Sequence, residues 1–552
     1  MHAKKVFGID LGTTYSCISY VDEHGKPVVI PNSEGTATTP SVVYFESQSS
    51  IVVGQTAKDV AKVEPDLVVQ SVKRHMGDPH WIRGFHGKDY RPQEISALIL
   101  RKVVGDAERE TGERVEDVVI TCPAYFGTNE REATRQAGIL AGLNVHYVIP
   151  EPTAAAIAYG VATTEEQVIL VYDLGGGTFD VTLVRVTSQA IEVLATGGDR
   201  ELGGKDWDDA IVAHFANRFQ EEAGVSPDDL LGNAEIYQEL INDAERAKVT
   251  LSTRSTYKQK IRFGMQEATI ELSREDFHRI TASLLERTIS LTRDILGRAQ
   301  EHKVTVDTIL LVGGSTYMPQ VEERLGAEFP YRLLRSDPNQ IVAKGAALFG
   351  LKCQLEQEIK ITIADRIGGD AASVNLDTVP NDVKDSAQAV VAKRFGMALP
   401  GLLNRKVANV SSKSFGLVVV DLATRREVVS NLVVVDQPVP IDVTRNFGTV
   451  DDNQDGVSLQ VMENLHRSGE DAFVELPQCT EIGSAQLTFL RPLPESSPIE
   501  ITFMLTADGL LRLTGRDLTT GQEIKAEFKA ECIMSAEEMN ASQTHIGGLA
   551  VS

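Results

Sequence analysis

The stretch that most constrains this chain is residues 168–180. Four apolar residues and a tyrosine precede Asp173, three glycines follow at 175–177, and a second strand-like stretch begins at Phe179. This order predicts a hairpin whose turn lacks side chains. Because glycines tolerate positive φ, their N–H groups can converge on an anion such as a phosphate, and Asp173 can hold a cation that screens it. A single turn of this kind is also compatible with an ordinary tight turn.

Related turns occur twice elsewhere in the chain. Residues 6–9 form an apolar run that ends in Asp10, and Gly12 with a pair of threonines follows. A third apolar run, residues 308–312, ends in a glycine pair followed by hydroxyl side chains. Three such turns are hard to explain by turn chemistry alone. They predict a duplicated α/β domain that holds a nucleotide between its halves, with the third loop near the base or the sugar.

Length, charge and cysteine content set further bounds. A chain of 552 residues allows roughly two to four domains with ample buried core. The formal net charge of −24 argues against nucleic acid as a general partner, because such binding relies on Lys and Arg. The absence of a Cys-x-x-Cys pair predicts free thiols rather than a disulfide scaffold or a zinc site. The five cysteines are Cys17, Cys122, Cys353, Cys479 and Cys532.

Neither a membrane span nor a secretion signal is expected. The chain has no apolar run of the roughly eighteen residues that a transmembrane helix needs, and its first five residues lead directly into a strand. We therefore expect a cytoplasmic location.

The pattern along the chain predicts four regions. Residues 1–355 alternate strands with amphipathic helices, which is typical of an α/β fold. Residues 356–412 show no clear periodicity and are either a linker or an insertion. Residues 413–532 hold strands without intervening helices, with a hairpin turn at Asp508, and predict an antiparallel β-sandwich. Residues 533–552 form a short tail with a helix candidate near its start.

Five motifs then resemble the seventy-kilodalton heat-shock chaperone (Hsp70) family, in that family's order. They are residues 8–14, 123–126, 151–156, 173–180 and 312–316. The β-rich region resembles the family more loosely, and the resemblance covers nearly all of the chain except residues 356–412 and the tail. It implies an α/β two-lobed actin-like ATPase domain followed by an antiparallel β-sandwich that binds extended peptide.

The resemblance also implies roles for individual residues, with ATP or ADP and Mg²⁺ as ligands. Asp10 and Asp173 would hold Mg²⁺ through water. Lys73 and Glu151 would place the γ-phosphate and the attacking water, which suits a reaction catalysed mainly by positioning and charge stabilisation. The implied catalytic set is Asp10, Lys73, Glu151, Asp173 and Thr178. The implied nucleotide-binding set is Gly12, Thr13, Thr14, Gly175, Gly176, Gly177, Glu245, Lys248, Ser252, Gly313, Gly314, Ser315, Tyr317 and Asn339.

Three residues near the expected base depart from the family pattern. Val249 and Tyr317 stand where arginines usually cover the two faces of the base, and Asn339 stands in place of an aspartate. We hypothesise that Tyr317 stacks on the base with Val249 beneath it. The alternative is that Tyr317 is only a partly exposed loop aromatic.

The resemblance extends to peptide binding and to coupling between the domains. Pro123 and Arg131 match positions that relay the nucleotide state. Residues that match the family's peptide groove are Leu417, Val420, Phe447, Val450, Val457 and Leu459. Alternating Val and Leu also fill the core of any β-sandwich, so the pattern leaves both interpretations open. The family's short linker is not recognisable before Ser412, and its helical lid is missing after Met539.

The sequence thus predicts an ATP-hydrolysing chaperone without a lid that binds exposed apolar segments of client polypeptides. The resemblance leaves open a J-domain co-chaperone and a nucleotide exchange factor as further partners, whereas nucleic acid and membrane are not expected. Two alternatives remain. One is a nucleotide-gated scaffold or assembly factor for a single folded partner, and the other is a small-molecule kinase on the actin-like fold.

Overall fold

A computed structural model describes residues 4–161, 166–376, 378–396, 401–469, 472–521, 523–525 and 533–552. Cys532 lies outside these residues, and the other four cysteines are free thiols. No helix in the described part of the chain has the length and apolarity needed to cross a bilayer.

The first 161 residues contain eleven strands and four helices. The strands are β1 (Val6–Asp10), β2 (Tyr15–Val21), β3 (Pro27–Ile30), β4 (Thr39–Pro40), β5 (Val43–Phe45), β6 (Ser50–Val53), β7 (Val68–Val69), β8 (Arg83–Phe85), β9 (Lys88–Tyr90), β10 (Asp117–Cys122) and β11 (Asn144–Pro150). The helices are α1 (Gln55–Val60), α2 (Pro92–Thr111), α3 (Thr128–Leu140) and α4 (Glu151–Val161). Short 3₁₀ helices span Pro65–Leu67 and Val72–His75.

Residues 167–404 continue with alternating strands and helices. The strands are β12 (Gln167–Leu174), β13 (Phe179–Val186), β14 (Ala190–Asp199), β15 (Thr256–Phe263), β16 (Gln266–Ser273), β17 (Thr308–Val312) and β18 (Arg332–Arg335). The helices are α5 (Gly204–Ala223), α6 (Pro227–Leu231), α7 (Ala234–Leu251), α8 (Arg274–Ile280), α9 (Ala282–Glu301), α10 (Pro319–Glu328), α11 (Ile341–Ile367) and α12 (Asn381–Phe395). Short 3₁₀ helices span Gly314–Tyr317, Ala371–Ser373 and Gly401–Asn404. We call β1 to α12 the N-terminal region.

The remainder of the chain is mostly strands. They are β19 (Lys406–Val410), β20 (Ser414–Val420), β21 (Glu427–Val433), β22 (Pro438–Val439), β23 (Ile441–Gly448), β24 (Gln454–Asn464), β25 (Val474–Glu475), β26 (Thr480–Leu493), β27 (Pro498–Leu505), β28 (Leu511–Asp517), β29 (Glu523–Lys525) and β30 (Ala550–Val551). A 3₁₀ helix spans Leu476–Gln478, and helix α13 spans Ala536–Gly548.

Two mixed sheets in the N-terminal region have matching strand orders. The first runs β11-β10-β1-β2-β3, and the second runs β18-β17-β12-β13-β14. In each sheet the first two pairs are parallel and the next two are antiparallel. The β1–β2 and β12–β13 hairpins therefore occupy equivalent positions, as expected for a duplicated domain.

Helix α11 packs so closely against helix α4 and against strand β1 of the first sheet that backbone atoms are in contact. A Cβ added at Gly345 would lie 1.7 Å from the carbonyl oxygen of Ala154, and one at Gly8 would lie 2.1 Å from the backbone nitrogen of Ala347. Only glycine fits at these two positions. The core beside them contains Ile169 of the second sheet, so it joins the two sheets beneath the hairpins.

The stretch without clear periodicity contains two packed helices. Helix α11 continues to Ile367, and α12 packs against it around Ile359, Ile363, Ala387 and Val391. Helix α12 buries only Ala387 and Val391. Two buried positions are too few to form the apolar stripe that a helix shows in sequence.

Strand β19 lies where no linker was recognisable by sequence. It extends the second sheet in parallel with β14, with Val407 opposite Ile191. The Thr153 hydroxyl donates to the Asn409 side-chain oxygen at 2.9 Å. The residues just before Ser412 are therefore an ordered strand held by the N-terminal region.

Strands β20 to β29, apart from β22, form two antiparallel sheets that share one core; we call this part the β region. The sheets run β25-β21-β20-β24-β26 and β23-β27-β28-β29. Their common core includes Leu417, Val461, Leu487 and Phe503. The predicted hairpin is confirmed, because β27 and β28 pair across the turn at Asp508.

The tail is more ordered than the sequence predicted. Helix α13 continues to Gly548 instead of ending near Met539, and β30 pairs in parallel with β6. Ile546 and Leu549 are buried among residues of the first 150 positions. The tail thus packs on the N-terminal region rather than on the β region that precedes it.

Candidate functional site: a cleft between the two hairpins

A cleft of about 1850 Å³ opens between the two mixed sheets. Every residue assigned to catalysis or nucleotide binding from the sequence lines it, except Gly177. A Cβ at Gly177 would nevertheless lie 2.3 Å from Thr13 Cγ2, and one at Gly176 would lie 1.9 Å from Thr14 Oγ1. The two hairpin turns thus touch each other, and side chains at these glycines would force them apart.

The start of helix α5 fixes the glycine turn. The backbone N–H of Gly204 donates to Gly175 O at 2.9 Å, and that of Lys205 donates to Gly176 O at 2.7 Å. A Cβ at Gly203 would lie only 2.5 Å from the carbonyl carbon of Gly177. Gly203 was not singled out from the sequence, because its need for glycine arises from a contact between distant segments.

The third loop closes the cleft from the side of strand β17. Ser315 Oγ donates to Gly175 O at 2.9 Å, and Gly313 N donates to Pro338 O at 3.1 Å. Gly313 adopts a φ of 83°, and a Cβ there would lie 2.7 Å from Asp173 Oδ1. Asn339 lies beneath this loop, since a Cβ at Gly314 would approach its side-chain oxygen to 2.8 Å.

Buried carboxyl groups gather at the deep end of the cleft. Burial and the nearby charge of Glu151 raise the pKa of Asp10 to about 7. Burial raises the pKa of Asp173 well above its ordinary value, and the charges of Glu151, Asp180 and Asp10 add to the effect. Both shifts have the sign expected for carboxylates whose negative charge is not yet balanced. The site therefore favours a cation.

The donor set fits Mg²⁺ held mainly through water. No group of three His, Cys, Asp or Glu side chains close enough for direct ligation occurs among the described residues. Mg²⁺ commonly keeps several waters and is held in proteins by one or two carboxylates together with substrate phosphates. Asp10 and Asp173 supply two carboxylates, and the touching glycine turns leave space for phosphates beside them.

Lys73 forms a buried ion pair with Glu151. Lys73 lies in the 3₁₀ helix Val72–His75, and Glu151 is the first residue of α4. Burial alone would lower the pKa of Lys73, but the charges of Glu151 and Asp10 outweigh it and raise the pKa. The ammonium group is thus kept charged in the water-poor part of the cleft.

Two further groups at this end were not predicted from the sequence. Arg74 donates to Gly177 O at 2.8 Å and pairs with Asp206 of α5 at 2.6 Å, so it ties the Lys73 segment to the glycine turn. Asp180 is fully buried in β13 and accepts a hydrogen bond from Ala124 N at 2.8 Å. Asp180 belongs to the motif of residues 173–180, so a sequence signal for it existed. Arg74 has no such signal, because its role depends on a contact with Gly177, about a hundred residues away.

Helix α7 lines another part of the cleft. Glu245 forms an ion pair with Lys58 and accepts a hydrogen bond from the Tyr15 hydroxyl at 3.0 Å. Lys248 donates to Asp208 at 2.7 Å, and Ser252 donates to Lys248 O at 3.0 Å. These residues give this part of the cleft a polar wall.

Tyr317 lines this polar part of the cleft, with its ring beside a cation. Its side chain is 45% exposed, and the guanidinium of Arg335 lies over its ring at 5.2 Å from the centroid. Arg335 also donates to Thr316 O at 2.8 Å and lines the cleft. Val249 also lines the cleft and is 63% exposed. Arg335 could not be identified from the sequence, because its contact with Tyr317 depends on the pairing of β18 with β17.

A sequence model described as "Hsp70 protein" matches residues 6–82, 79–362 and 403–546. The chain belongs to the Hsp70 family. The matched segments omit residues 363–402, which hold the end of α11 and all of α12. The α12 helix therefore lies outside the part of the chain that the family model matches.

In this Hsp70 chain, the β region contacts the N-terminal region close to Pro123 and Arg131. We call this arrangement of the two regions the seated form, and the contacts between them the seating. Arg131 donates to Ala124 O at 3.1 Å and to Phe126 O at 2.8 Å. It also reaches Asp508 O at 3.4 Å in the turn of the β region. Arg135 forms an ion pair with the Asp508 carboxylate. Because Ala124 also binds Asp180, these contacts connect the cleft to the β region.

Other contacts hold the β region from the second sheet. Asp436 accepts from Thr196 N at 3.3 Å and from Arg298 at 2.8 Å. Arg467 pairs with Glu301 of α9 at 2.9 Å. The seating therefore involves several charged pairs, whose partners in the N-terminal region lie on helices α3 and α9.

The residues assigned to a peptide groove have different environments. Leu417 and Leu459 are buried in the core shared by the two antiparallel sheets. Phe447 and Val457 are half-buried against that core, whereas Val450 is 37% exposed. Val420 is half-buried at the end of β20. Members of the Hsp70 family bind client polypeptides, but the positions of these side chains do not define a cavity by themselves.

Proposed function

We propose that this chain is an ATP-hydrolysing Hsp70 chaperone that binds exposed apolar segments of client polypeptides. Its N-terminal region would be a two-lobed actin-like ATPase domain, and its β region would be an antiparallel β-sandwich. The observation that carries the proposal is the pair of touching hairpin turns with Asp10, Asp173 and the Lys73–Glu151 ion pair in one cleft.

The residues of the cleft have chemically complementary roles in this proposal. Mg²⁺ held through water by Asp10 and Asp173 would neutralise charge on the phosphates. Lys73 would hold the γ-phosphate, and Glu151 would orient the attacking water. Backbone N–H groups of the two hairpin turns and the hydroxyls of Thr13, Thr14 and Thr178 would position the phosphates. Positioning and charge stabilisation provide most of the catalysis in this type of reaction.

The contacts around Arg131 support coupling between the two regions. Closure of the cleft would move Asp180 and the Pro123 segment that it holds, and this segment contacts the Asp508 turn through Arg131. Strand β19 joins the second sheet and leads directly into the β region. Nucleotide binding could thus change how firmly the β region is seated.

The ATP turnover rate with and without an extended apolar peptide tests the proposal. We expect turnover that depends on Mg²⁺ and increases with several unrelated apolar peptides. A peptide of the same length that is rich in charged residues serves as the control. Absence of ATP turnover would contradict the proposal, and a phosphorylated small molecule as product would indicate a kinase instead.

One observation favours a nucleotide-gated scaffold as the second candidate. Leu417 and Leu459 are in the protein core and cannot contact a peptide without rearrangement. Turnover that responds to a single folded protein, and not to unrelated peptides, would support the scaffold.

Removal of the Tyr317 ring is expected to weaken ATP binding. We expect Tyr317→Ala to raise the Kd for ATP by about 3- to 30-fold, the range of one aromatic or cation–π contact. Arg335→Gln should have a smaller effect in the same direction, because it leaves the ring but removes its cationic partner. Calorimetric titration measures both, and Tyr317→Phe is the matched control.

Tripolyphosphate separates base recognition from phosphate recognition. Its Kd should be the same for wild type, Tyr317→Ala and Arg335→Gln, because it has no base. Unchanged ATP affinity in Tyr317→Ala would reject stacking on the base.

A further inference from the structure

Residues 534–552 lie across the N-terminal region as a helix followed by a strand; we call this segment the strap. Helix α13 of the strap packs against α2 and α3, and β30 adds to the edge of β6. Met534, Ile546 and Leu549 are buried in the same core as Leu98 and Leu140. The strap thus contributes side chains to the hydrophobic core of a region that lies several hundred residues earlier in the chain.

Polar contacts accompany this burial along the whole length of the strap. At its start, Met534 N and O form hydrogen bonds with the Gln136 side chain, both at 3.3 Å. In its middle, Ser542 Oγ donates to Glu94 Oε1 at 2.7 Å. At the end of α13, Arg101 donates to Leu549 O at 3.1 Å.

The strand pairing completes the attachment. Ala550 N donates to Ser49 O at 2.9 Å, Ser552 N donates to Ile51 O at 3.0 Å, and Val53 N donates to Ser552 O at 2.9 Å. Strand β6 would otherwise present an unpaired edge, which proteins normally protect. The N–H of Val551 points away from β6, because successive N–H groups of a strand alternate in direction.

The strap limits how far the β region can move, because the strap directly follows the β region in the sequence. The β region follows β19, which is bound to β14, and it precedes the strap, which is bound to α2, α3 and β6. Strand β29 ends at Lys525, and the strap begins at Met534. Nine residue steps span at most about 30 Å. Both ends of the β region are therefore attached to the N-terminal region by short connections.

We propose that the strap is an intramolecular clamp that keeps the β region seated on the N-terminal region without nucleotide. Release of the Arg131, Asp436 and Arg467 contacts alone leaves Lys525 of the β region within about 30 Å of Met534, which is fixed on the N-terminal region. Such a short connection maintains a high effective concentration and favours rebinding. Nucleotide binding then changes the stability of contacts between the two regions that already exist, instead of creating these contacts. This inference does not depend on ATP hydrolysis.

Hydrogen exchange of the Thr196 amide in the full chain tests the clamp, because this N–H donates to Asp436 and loses that partner when the β region separates. It should exchange slowly in wild type both without nucleotide and with ATP and Mg²⁺, because the β region stays seated. The double variant Ala550→Pro/Ser552→Pro removes two donors of the strand pairing. We expect its Thr196 amide to exchange at least tenfold faster without nucleotide.

Val551→Pro is the matched control, since its N–H does not bond to β6, and its Thr196 amide should exchange as in wild type. Exchange of the strap amides in the same samples reports whether the strap is released. Fast Thr196 exchange in nucleotide-free wild type would overturn the proposal. It would also be overturned if the double variant released the strap without faster Thr196 exchange, or did not release the strap at all. Since ATP affinity is measured separately, failure of the clamp is distinguishable from failure of the proposed ATPase activity.

Discussion

Replacing Lys73 with methionine is expected to lower ATP turnover at saturating ATP by roughly 10²- to 10³-fold, the usual cost of removing one charge-stabilising donor. Lys73 is a buried cation in the cleft, paired with Glu151 and close to the charge of Asp10. Among the described residues, Lys73 is the cation whose charge lowers the pKa of Asp10. Its removal should therefore affect the chemical step more than ATP affinity. Single-turnover measurement of phosphate release separates the two.

A loss of folding must be distinguished from a loss of catalysis in this variant. Removal of one partner of a buried ion pair costs about 3–5 kcal/mol, because the other charge is left unpaired. The double variant Lys73→Met/Glu151→Leu removes both charges and should recover most of the stability but not the turnover. Thermal unfolding measures the first quantity. Recovery of turnover in the double variant would contradict the catalytic role of Lys73.

Lys58 provides a matched control within the same cleft. Like Lys73, it lines the cleft and pairs with a glutamate, but its partner is Glu245 of helix α7 and the pair is only partly buried. Lys58→Met should raise KM for ATP and leave kcat within a factor of a few. Equal effects of the two substitutions on kcat would contradict the assignment of the phosphate end to Lys73.

The hairpin turns could be predicted from the sequence because their information is local. An aspartate at the end of an apolar strand, followed by glycines, determines both the turn and its chemistry. The Asp508 turn was predicted for the same reason. Gly203 and Gly345 could not be singled out, since each must be glycine only because a distant backbone approaches it.

The cleft residues outside the motifs were missed for a related reason. Arg335 acts through the ring of Tyr317 and Arg74 acts through the carbonyl of Gly177, and both contacts join separate elements. Helix α12 was missed because it buries too few side chains to show a helical period. Strand β19 was missed because its partner β14 lies about two hundred residues earlier.

The seating of the β region depends on a buried carboxyl group as well as on ion pairs. Glu463 of β24 is 8% exposed, and a Cβ at Gly127 of the N-terminal region would lie 2.4 Å from its Oε2. This oxygen has no hydrogen-bond partner among the described residues. Lys413 is the nearest cation, with its Nζ 3.8 Å from Oε1. The carboxyl group thus lies at the interface between the two regions.

Burial raises the pKa of Glu463 to about 7, and the charge of Glu130 adds to this effect. Lys413 and Arg200 act in the opposite direction and do not compensate. Separation of the two regions exposes the carboxyl group to water, where its pKa returns toward the ordinary value of 4.5. The seated form therefore binds a proton more tightly than the separated form.

Seating is consequently expected to weaken as the pH rises. For a carboxyl group whose pKa is higher in the seated form, stabilisation is complete below about pH 4.5 and is lost as the pH rises to about 7. Between these values the equilibrium constant for separation should increase by up to about tenfold per pH unit, and above this window the slope should vanish. Exchange of the Thr196 amide, which donates to Asp436 only in the seated form, measures this constant after correction for the intrinsic pH dependence of exchange.

Glu463→Gln should remove the slope, because glutamine keeps the shape of the protonated side chain but does not titrate. At pH 8 its seated form should be more stable than that of wild type, with exchange of the Thr196 amide at least tenfold slower. Glu481→Gln, at an exposed glutamate on the neighbouring strand β26, is the matched control and should retain the wild-type slope. A wild-type separation constant that does not change between pH 5 and pH 7 would show that Glu463 stays ionised at the interface, with its charge balanced by Lys413 and Arg200.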